Sequence, residues 1–168
     1  MITFTPFTPE HLPHYFAWSK KDHVTDFWFM EGYEPPEYIH KRIEGNGYDY
    51  PFVIILDGRP IGYIQYGDLY AYRTLCPDPK GVFTNEPEGT FCVDLFIGEE
   101  DCINRGLGTE TVSRFCAFLF QKPECKRIVI DPAADNARAI RCYEKVGFRR
   151  LKTVHDGINS ILILELTQ

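Results

Sequence analysis

Apolar positions along this chain fall into short runs with two periods, and the periods mark the elements. Residues 2–4 read as a short strand. Thr8-Pro9-Glu10 reads as a helix start, with Thr8 at the N-cap and Pro9 at the first helical position, and the helix runs to about Trp18. Pro35-Pro36-Glu37 opens a second helix that ends near Gly45. Residues 52–56 form an apolar strand, Asp57-Gly58 a hairpin turn, and residues 60–66 the next strand. Residues 68–88 are polar and proline-containing and read as one long loop, a length that marks functional or mobile segments. Residues 90–97 read as a strand, and residues 106–120 are amphipathic, with Val112, Phe115, Cys116 and Leu119 on one helical face. A buried-type strand at 127–130 and a helix at 134–145, stopped by Gly147, follow. Strands at 148–154 and 161–166 flank the Asp156-Gly157 turn. The order β-α-α-β-β-β-α-β-α-β-β predicts a mixed α/β domain.

Composition narrows this to one compact domain spanning residues 1–168: the chain is 44% hydrophobic, 15% aromatic and 25% charged. A net charge of −6 argues against a general nucleic-acid binder. The charge is uneven. Residues 1–101 carry a net −10, residues 102–152 a net +6, and the last sixteen a net −2. The split fits two partners of opposite charge, a cationic substrate and an anionic cofactor; unevenly charged solvated surface is the alternative. Residues 1–10 have neither the basic residue nor the apolar run of a signal peptide, and no apolar run suits a membrane span. The six cysteines form no CxxC pair and the histidines have no metal-ligand spacing, so the expectation is a cytoplasmic protein with reduced thiols and no metal.

Two segments carry chemistry. In the first, Val93-Asp94-Leu95-Phe96-Ile97 leads into Ile103-Asn104-Arg105-Gly106-Leu107-Gly108-Thr109. Alternate glycines where a helix begins let a ligand approach free N–H groups at the positive end of the helix dipole, which makes a pyrophosphate cradle; a tight turn is the alternative. Thr109 adds a hydroxyl. The third glycine of a dinucleotide fingerprint and the Gly-Lys-Ser/Thr of a P-loop are both missing. In the second, Asn136 and Tyr143 stand two helical turns apart on one face, with Ala139 between them. That places a phenol and an amide on one groove, unless Tyr143 is a core residue packed on Phe148.

Together the segments resemble the GNAT superfamily of acetyl-CoA-dependent N-acetyltransferases. They are similar to its R/Q-x-x-G-x-G/A motif, with Ile103 where Arg or Gln is usual, and to its N-x-x-A-x-x-x-Y-x-x-x-G-F motif, matched in full by Asn136 to Phe148. The resemblance implies a central, mostly antiparallel mixed sheet with flanking helices and splayed central strands. It implies acetyl-CoA as acetyl donor, held by Leu95, Phe96, Ile97, Asn104, Arg105, Gly106, Leu107, Gly108, Thr109, Asn136 and Arg141. Gly62-Tyr63-Ile64-Gln65-Tyr66, Val93 to Gly98, Asp131-Pro132 and Arg138 to Lys145 look more particularly like the aminoglycoside 6′-N-acetyltransferases, enzymes of antibiotic resistance. By that likeness Asp94 and Asp131 are active-site carboxylates and Tyr143 is the general acid.

Amine acetylation needs a neutral amine, which a neighbouring carboxylate can bind and deprotonate. A backbone N–H near Leu95 or Phe96 is the expected donor to the developing oxyanion. A phenol of pKa near 10 can protonate a leaving thiolate of pKa about 8.5. Cys142 adjoins Tyr143 but is expected to face elsewhere. Asp78, Glu86, Glu88, Asp94, Glu99, Glu100 and Asp101 stand against one base, Lys80, between Leu75 and Asp101. Asp22, Asp26, Glu31, Glu34 and Glu37 lie among Trp18, Phe27, Trp28, Phe29 and Tyr33. Acids with aromatic platforms suit a polycationic sugar. Trp28 and Asp78, with Asp94 and Asp131, are the substrate-binding candidates, and Arg105, Arg138, Arg141 and Lys145 are placed to screen phosphates. The expected partners are acetyl-CoA and a cationic amine, with no nucleic acid or membrane, for a monomer or homodimer. A different amine acceptor (a protein N-terminus, a polyamine, a siderophore precursor) and a non-catalytic acetyl-CoA-binding module remain the alternatives.

Overall fold

A computed structural model describes residues 1–29 and 34–168. Seven strands form one sheet: β1 (Ile2–Pro6), β2 (Asp49–Leu56), β3 (Arg59–Asp68), β4 (Thr90–Ile97), β5 (Arg127–Ile130), β6 (Arg149–His155) and β7 (Ser160–Thr167). Their order is β1-β2-β3-β4-β5-β7-β6. Among the described residues six α-helices flank it: α1 (Leu12–Trp18), α2 (Asp22–Thr25), α3 (Ile39–Glu44), α4 (Leu69–Leu75), α5 (Leu107–Leu119) and α6 (Ala137–Val146). All neighbouring strands run antiparallel except β4 and β5. That one parallel pair needs a crossover, and α5 supplies it.

Local chemistry explains most boundaries. Asp57 and Gly58 both take positive φ, 49° and 84°, the twist a two-residue hairpin between β2 and β3 requires. Asn136 caps α6, its side chain accepting from Ala139 N at 3.2 Å. Gly147 closes that helix at φ 113°. The 68–88 segment is not one loop. Asp68 accepts from Tyr70 N and Ala71 N, both at 3.0 Å, and this cap starts α4. Only Leu69 of α4 is buried, so the helix shows almost no apolar period. The short α2 is likewise absent from the sequence pattern, and Glu31 and Tyr33 lie outside the described residues.

The strand period of two sends alternate side chains into separate cores. Val93, Ile128, Ile130 and Ile64 pack with Val112, Phe115 and Leu119 of α5 and Ile140 and Tyr143 of α6. On the other face, Val53, Tyr63 and Phe96 pack with Tyr15 and Trp18 of α1, Val24 of α2 and Ile39 of α3. A third cluster joins Leu69, Phe83, Val129 and Ile163 on that same side. Six of the seven strands therefore carry a layered core, while β6 is exposed at six of its seven positions.

β4 turns away from the sheet at Gly98, whose backbone lies directly under the Trp18 indole, close enough that a Cβ there would overlap the ring. Trp18 is 1% exposed and has nowhere to move. Gly98→Ala is expected to cost about 1–3 kcal/mol as an overpacked site. Each kcal/mol lowers the midpoint by about 2–4 °C in a domain of this size, read by thermal denaturation. An unchanged midpoint would contradict this packing.

Candidate active site

The site begins where two strands part. β4 and β5 pair only at Thr90, Phe91 and Cys92 with Arg127, Ile128 and Val129. Beyond Cys92, β4 keeps β3 on one side and has no strand on the other. Gly98 N donates to Ile61 O at 2.8 Å, which sets the alternation along the ladder. Phe96 and Asp94 turn their backbone groups to β3, so Leu95 and Ile97 turn theirs to the gap. The Ile97 carbonyl indeed accepts from His23 Nε2 of α2 at 3.0 Å. Of the two backbone donors the sequence left open, Leu95 N–H is the one that faces the gap.

A cleft of about 660 Å³ runs through the sheet at this gap and is lined from both faces. On the α5–α6 face its wall is the start of α5. Asn104 and Gly106 take left-handed backbone at φ 59° and 77°. The first helical hydrogen bond here runs from Glu110 N to Gly106 O at 3.1 Å, which leaves the N–H groups of Leu107, Gly108 and Thr109 at an open N-terminus. A Cβ at Gly108 would meet only Cys142 Sγ, at 3.7 Å, so the chain itself does not demand glycine there. A bulky anion lying against the helix end would. Arg138, Arg141 and Lys145 of α6 line the same mouth. These residues fit a coenzyme A pyrophosphate.

Asn136 and Tyr143 both line the cleft. Tyr143 is 8% exposed and sits beside Phe148, ring centroids 6.0 Å apart, so packing and lining are roles of one side chain. Burial pushes its phenol well up, with Cys142, Asp94 and Asp131 adding to the rise and Arg138 opposing it. The hydroxyl is therefore a neutral proton carrier at physiological pH. Cys142 lines the cleft from another face of α6, where its sulfur accepts from Thr109 Oγ1 at 3.4 Å across α5 and α6.

The opposite face holds the carboxylates. Asp94 accepts from Gln65 Nε2 at 3.0 Å, and Gln65 Oε1 accepts from the Tyr63 hydroxyl at 2.6 Å. Desolvation raises the Asp94 pKa, opposed by that hydrogen bond and by the Arg42 charge. Asp131, at the end of β5, is raised well above the usual carboxylate range by desolvation and then by Asp94. Two acids in one cleft disfavour a second negative charge and favour a bound cation. Trp28, Phe29, Tyr15, Glu34, Arg42 and Asp156 complete this wall. Arg42 pairs with Glu34 at 2.6 Å and with Asp49 at 3.5 Å.

The cleft thus gathers Asp94, Asp131, Tyr143, Leu95, Phe96, Ile97, Asn104, Gly106, Gly108, Thr109, Asn136, Arg141 and Trp28 from the sequence expectation. Three expected residues are elsewhere. Arg105 turns back to donate to Asp101 O at 3.1 Å. Leu107 packs its side chain on the α5–α6 core, leaving only its backbone N–H at the helix end. Asp78 is exposed and paired with Lys80 at 3.1 Å, and the loop reaches the cleft through Gly81 and Val82 instead. Trp18 is core, its Nε1 donating to Glu99 at 2.7 Å. Arg42, Gln65 and His23 were not singled out. A glutamine in an apolar strand was the one available signal among them. Among the described residues no group of three or more His, Cys, Asp or Glu side chains could hold a metal ion, and no helix is long and apolar enough to cross a membrane.

Two ligands can enter such a cleft from opposite faces of the sheet and meet at the gap, which is the arrangement of a group-transfer enzyme. The chain belongs to the GNAT acetyltransferase family, whose acetyltransferase (GNAT) domain matches residues 8–156. It is an acyltransferase that uses acetyl-CoA as donor. The chain is 31% identical over 160 residues to an aminoglycoside N(6′)-acetyltransferase type 1 of Klebsiella pneumoniae, covering 91% of this chain and 76% of that one. It is 29% identical over 91 residues to a spermine/spermidine N(1)-acetyltransferase of Bacillus subtilis, covering 54% and 59%. Among solved structures it is similar to aminoglycoside acetyltransferase AAC(6′)-Ib in complex with coenzyme A. That match has a TM-score of 0.87 and 27% identity, over 100% of this chain and 95% of that one.

Asp131 makes a pH signature. Its folded pKa is raised, so the folded state holds this proton longer than the unfolded chain, whose aspartates titrate near 3.9. Stability is full below that value and falls as pH rises toward the folded pKa. Asp131→Asn removes the loss. Its thermal midpoint should match wild type near pH 4 and exceed it at pH 7. A wild-type advantage at pH 7 would contradict the assignment.

Proposed function

We propose that this protein transfers an acetyl group from acetyl-CoA to a primary amine of a polycationic small molecule, the 6′-amine of an aminoglycoside. The observation that carries the reading is the convergence of Asp94 and Asp131 on the gap from one face of the sheet with Tyr143 from the other. The Klebsiella relative supports the aminoglycoside, and its likeness runs along most of both chains. A polyamine is the second reading, favoured by the shorter Bacillus match and by the same carboxylates.

Acetyl-CoA supplies the acetyl group as a thioester, activated toward an amine. The α5 N-terminus holds the pyrophosphate by the backbone N–H groups of Leu107, Gly108 and Thr109, and Asn136 and Arg141 flank it. On the other face Asp131 and Asp94 pair with the acceptor ammonium, and Trp28 offers an aromatic platform to the sugar ring. Asp94 takes the amine proton, since a raised carboxylate pKa makes a stronger base. Leu95 N–H is placed to receive the charge growing on the carbonyl oxygen. Tyr143 keeps a proton at its phenol oxygen for the departing sulfur.

Thiol release from acetyl-CoA tests the reading across a panel. Release is expected with aminoglycosides carrying a 6′-amine and not with one carrying a 6′-hydroxyl there. Release with spermidine alone would replace the acceptor, and no release with any amine would leave a binding module. Asp94→Asn should lower turnover at least ~10-fold, at the low end of general-base effects. Tyr143→Phe should lower kcat by a similar factor of about 10. Wild-type turnover at saturating substrate in either variant would remove that residue from the chemistry.

A further inference from the structure

We propose that Tyr63 and Gln65 are positioning residues for acetyl transfer: the buried Tyr63 hydroxyl orients the Gln65 amide, and that amide fixes which oxygen of Asp94 meets the acceptor amine. This rests on the role given to Asp94 above.

Tyr63 and Gln65 lie two apart on β3, so both project to the face that carries Asp94. Gln65 stands directly across from Asp94 in the β3–β4 register. Gln65 is 5% exposed and Tyr63 0%. Buried polar groups are costly unless bonded, and a core of this kind is served as well by apolar residues of similar shape. Here the two polar side chains form a directed series instead. The Tyr63 hydroxyl donates to Gln65 Oε1 at 2.6 Å, and Gln65 Nε2 donates to Asp94 Oδ2 at 3.0 Å.

The direction follows from the first donor. A carboxamide has nearly the same shape in its two orientations, and its neighbours decide between them. Burial raises the Tyr63 phenol well above its usual value, so it stays an O–H. That O–H needs an acceptor, which among the described residues the amide oxygen supplies. The amide nitrogen is thereby turned to Asp94. In the reverse orientation an amide oxygen would face the carboxylate and the phenol proton would lose its acceptor. With Oδ2 engaged, Oδ1 is left for the amine.

Other groups act on Asp94 through charge. Arg42 from α3 and Glu34 beside it, Asp49 from β2, Asp131 from β5 and Tyr143 from α6 all bear on it or are borne on by it. Among the described residues, Gln65 supplies the side-chain hydrogen bond that its carboxylate receives. Loss of that bond raises the carboxylate's proton affinity and frees its orientation together.

The test uses Gln65→Leu and Tyr63→Phe, each alone and combined with Asp94→Asn. Thiol release from acetyl-CoA is followed with a 6′-amino aminoglycoside across pH, and heat unfolding checks each fold. Gln65→Leu should lower kcat by ~10-fold and move the acid limb of the kcat profile up by about one pH unit, the size of a hydrogen bond to a charged acceptor. Tyr63→Phe keeps the ring and should move both the same way by less. In the Asp94→Asn background neither should lower kcat further, because residues acting as one unit are non-additive. If Gln65→Leu fails to fold, the Tyr63→Phe pair of measurements carries the test. An equal loss in both backgrounds, or an unmoved pH profile, overturns the inference while an impaired Asp94→Asn leaves the Asp94 role standing. A fully active Asp94→Asn overturns both.

Discussion

Three residue pairs hold β4 to β5, and then the strands part. Everything else in this molecule is arranged around that short parallel ladder. A longer one would close the sheet and bury the backbone of Leu95 and Ile97 in ordinary hydrogen bonds. A shorter one would leave β5, only four residues long, held on one side by β7 alone. The break exposes an unpaired strand edge in the middle of a sheet. Such an edge is normally found only at the rim, where it invites pairing with other chains. Here the helices on both faces enclose it, so only a ligand slender enough to enter the cleft can use it.

The electrostatics follow from the same break. Asp94 and Asp131 project from the two parted strands into a desolvated space, and the Asp94 charge raises the cost of ionising Asp131. Tyr143 approaches from the other core, where burial keeps its proton on. Burial makes the carboxylate bind its proton more tightly than usual and keeps the phenol neutral. Both arise mainly from removal of water, opposed at Asp94 by the Arg42 charge and at Tyr143 by the Arg138 charge. Arg42 is the moderating cation on the acceptor side, and its own charge is shared with Glu34 and Asp49.

Much of this was legible in the residues, and the limits are physical. The bounds of β4 and β5, the Asp57-Gly58 hairpin and the glycine start of α5 come from local rules, and local rules need only neighbours in the chain. The Asn136–Tyr143 face was legible for the same reason, since two helical turns are a local distance. α4 was not, because one buried leucine gives a helix no period and its Asp68 cap opens a segment whose later prolines, Pro77, Pro79 and Pro87, spoke for a loop. Asp78 failed as a candidate because the number of acids in a loop says nothing about where they point, and a lysine two residues on takes its charge. Arg42 and Gln65 were missed because their meaning is non-local. Gln65 matters through a carboxylate 29 residues away, and Arg42 through a turn of chain that folds over the sheet.

The sheet has one further effect, set by its two cores. The donor side is built from α5 and α6 on one core, and the acceptor side from α1, α2 and α3 on another, with only the strands in common. Among the described residues, the acceptor wall and the donor cradle pack into separate clusters joined through the strands. Such a protein can drift from one amine to another by small changes on a single side, while the machinery that delivers the acetyl group is inherited untouched. The division of the core is therefore also a division of evolutionary labour, in which one half of the molecule is free to explore because the other half does not have to.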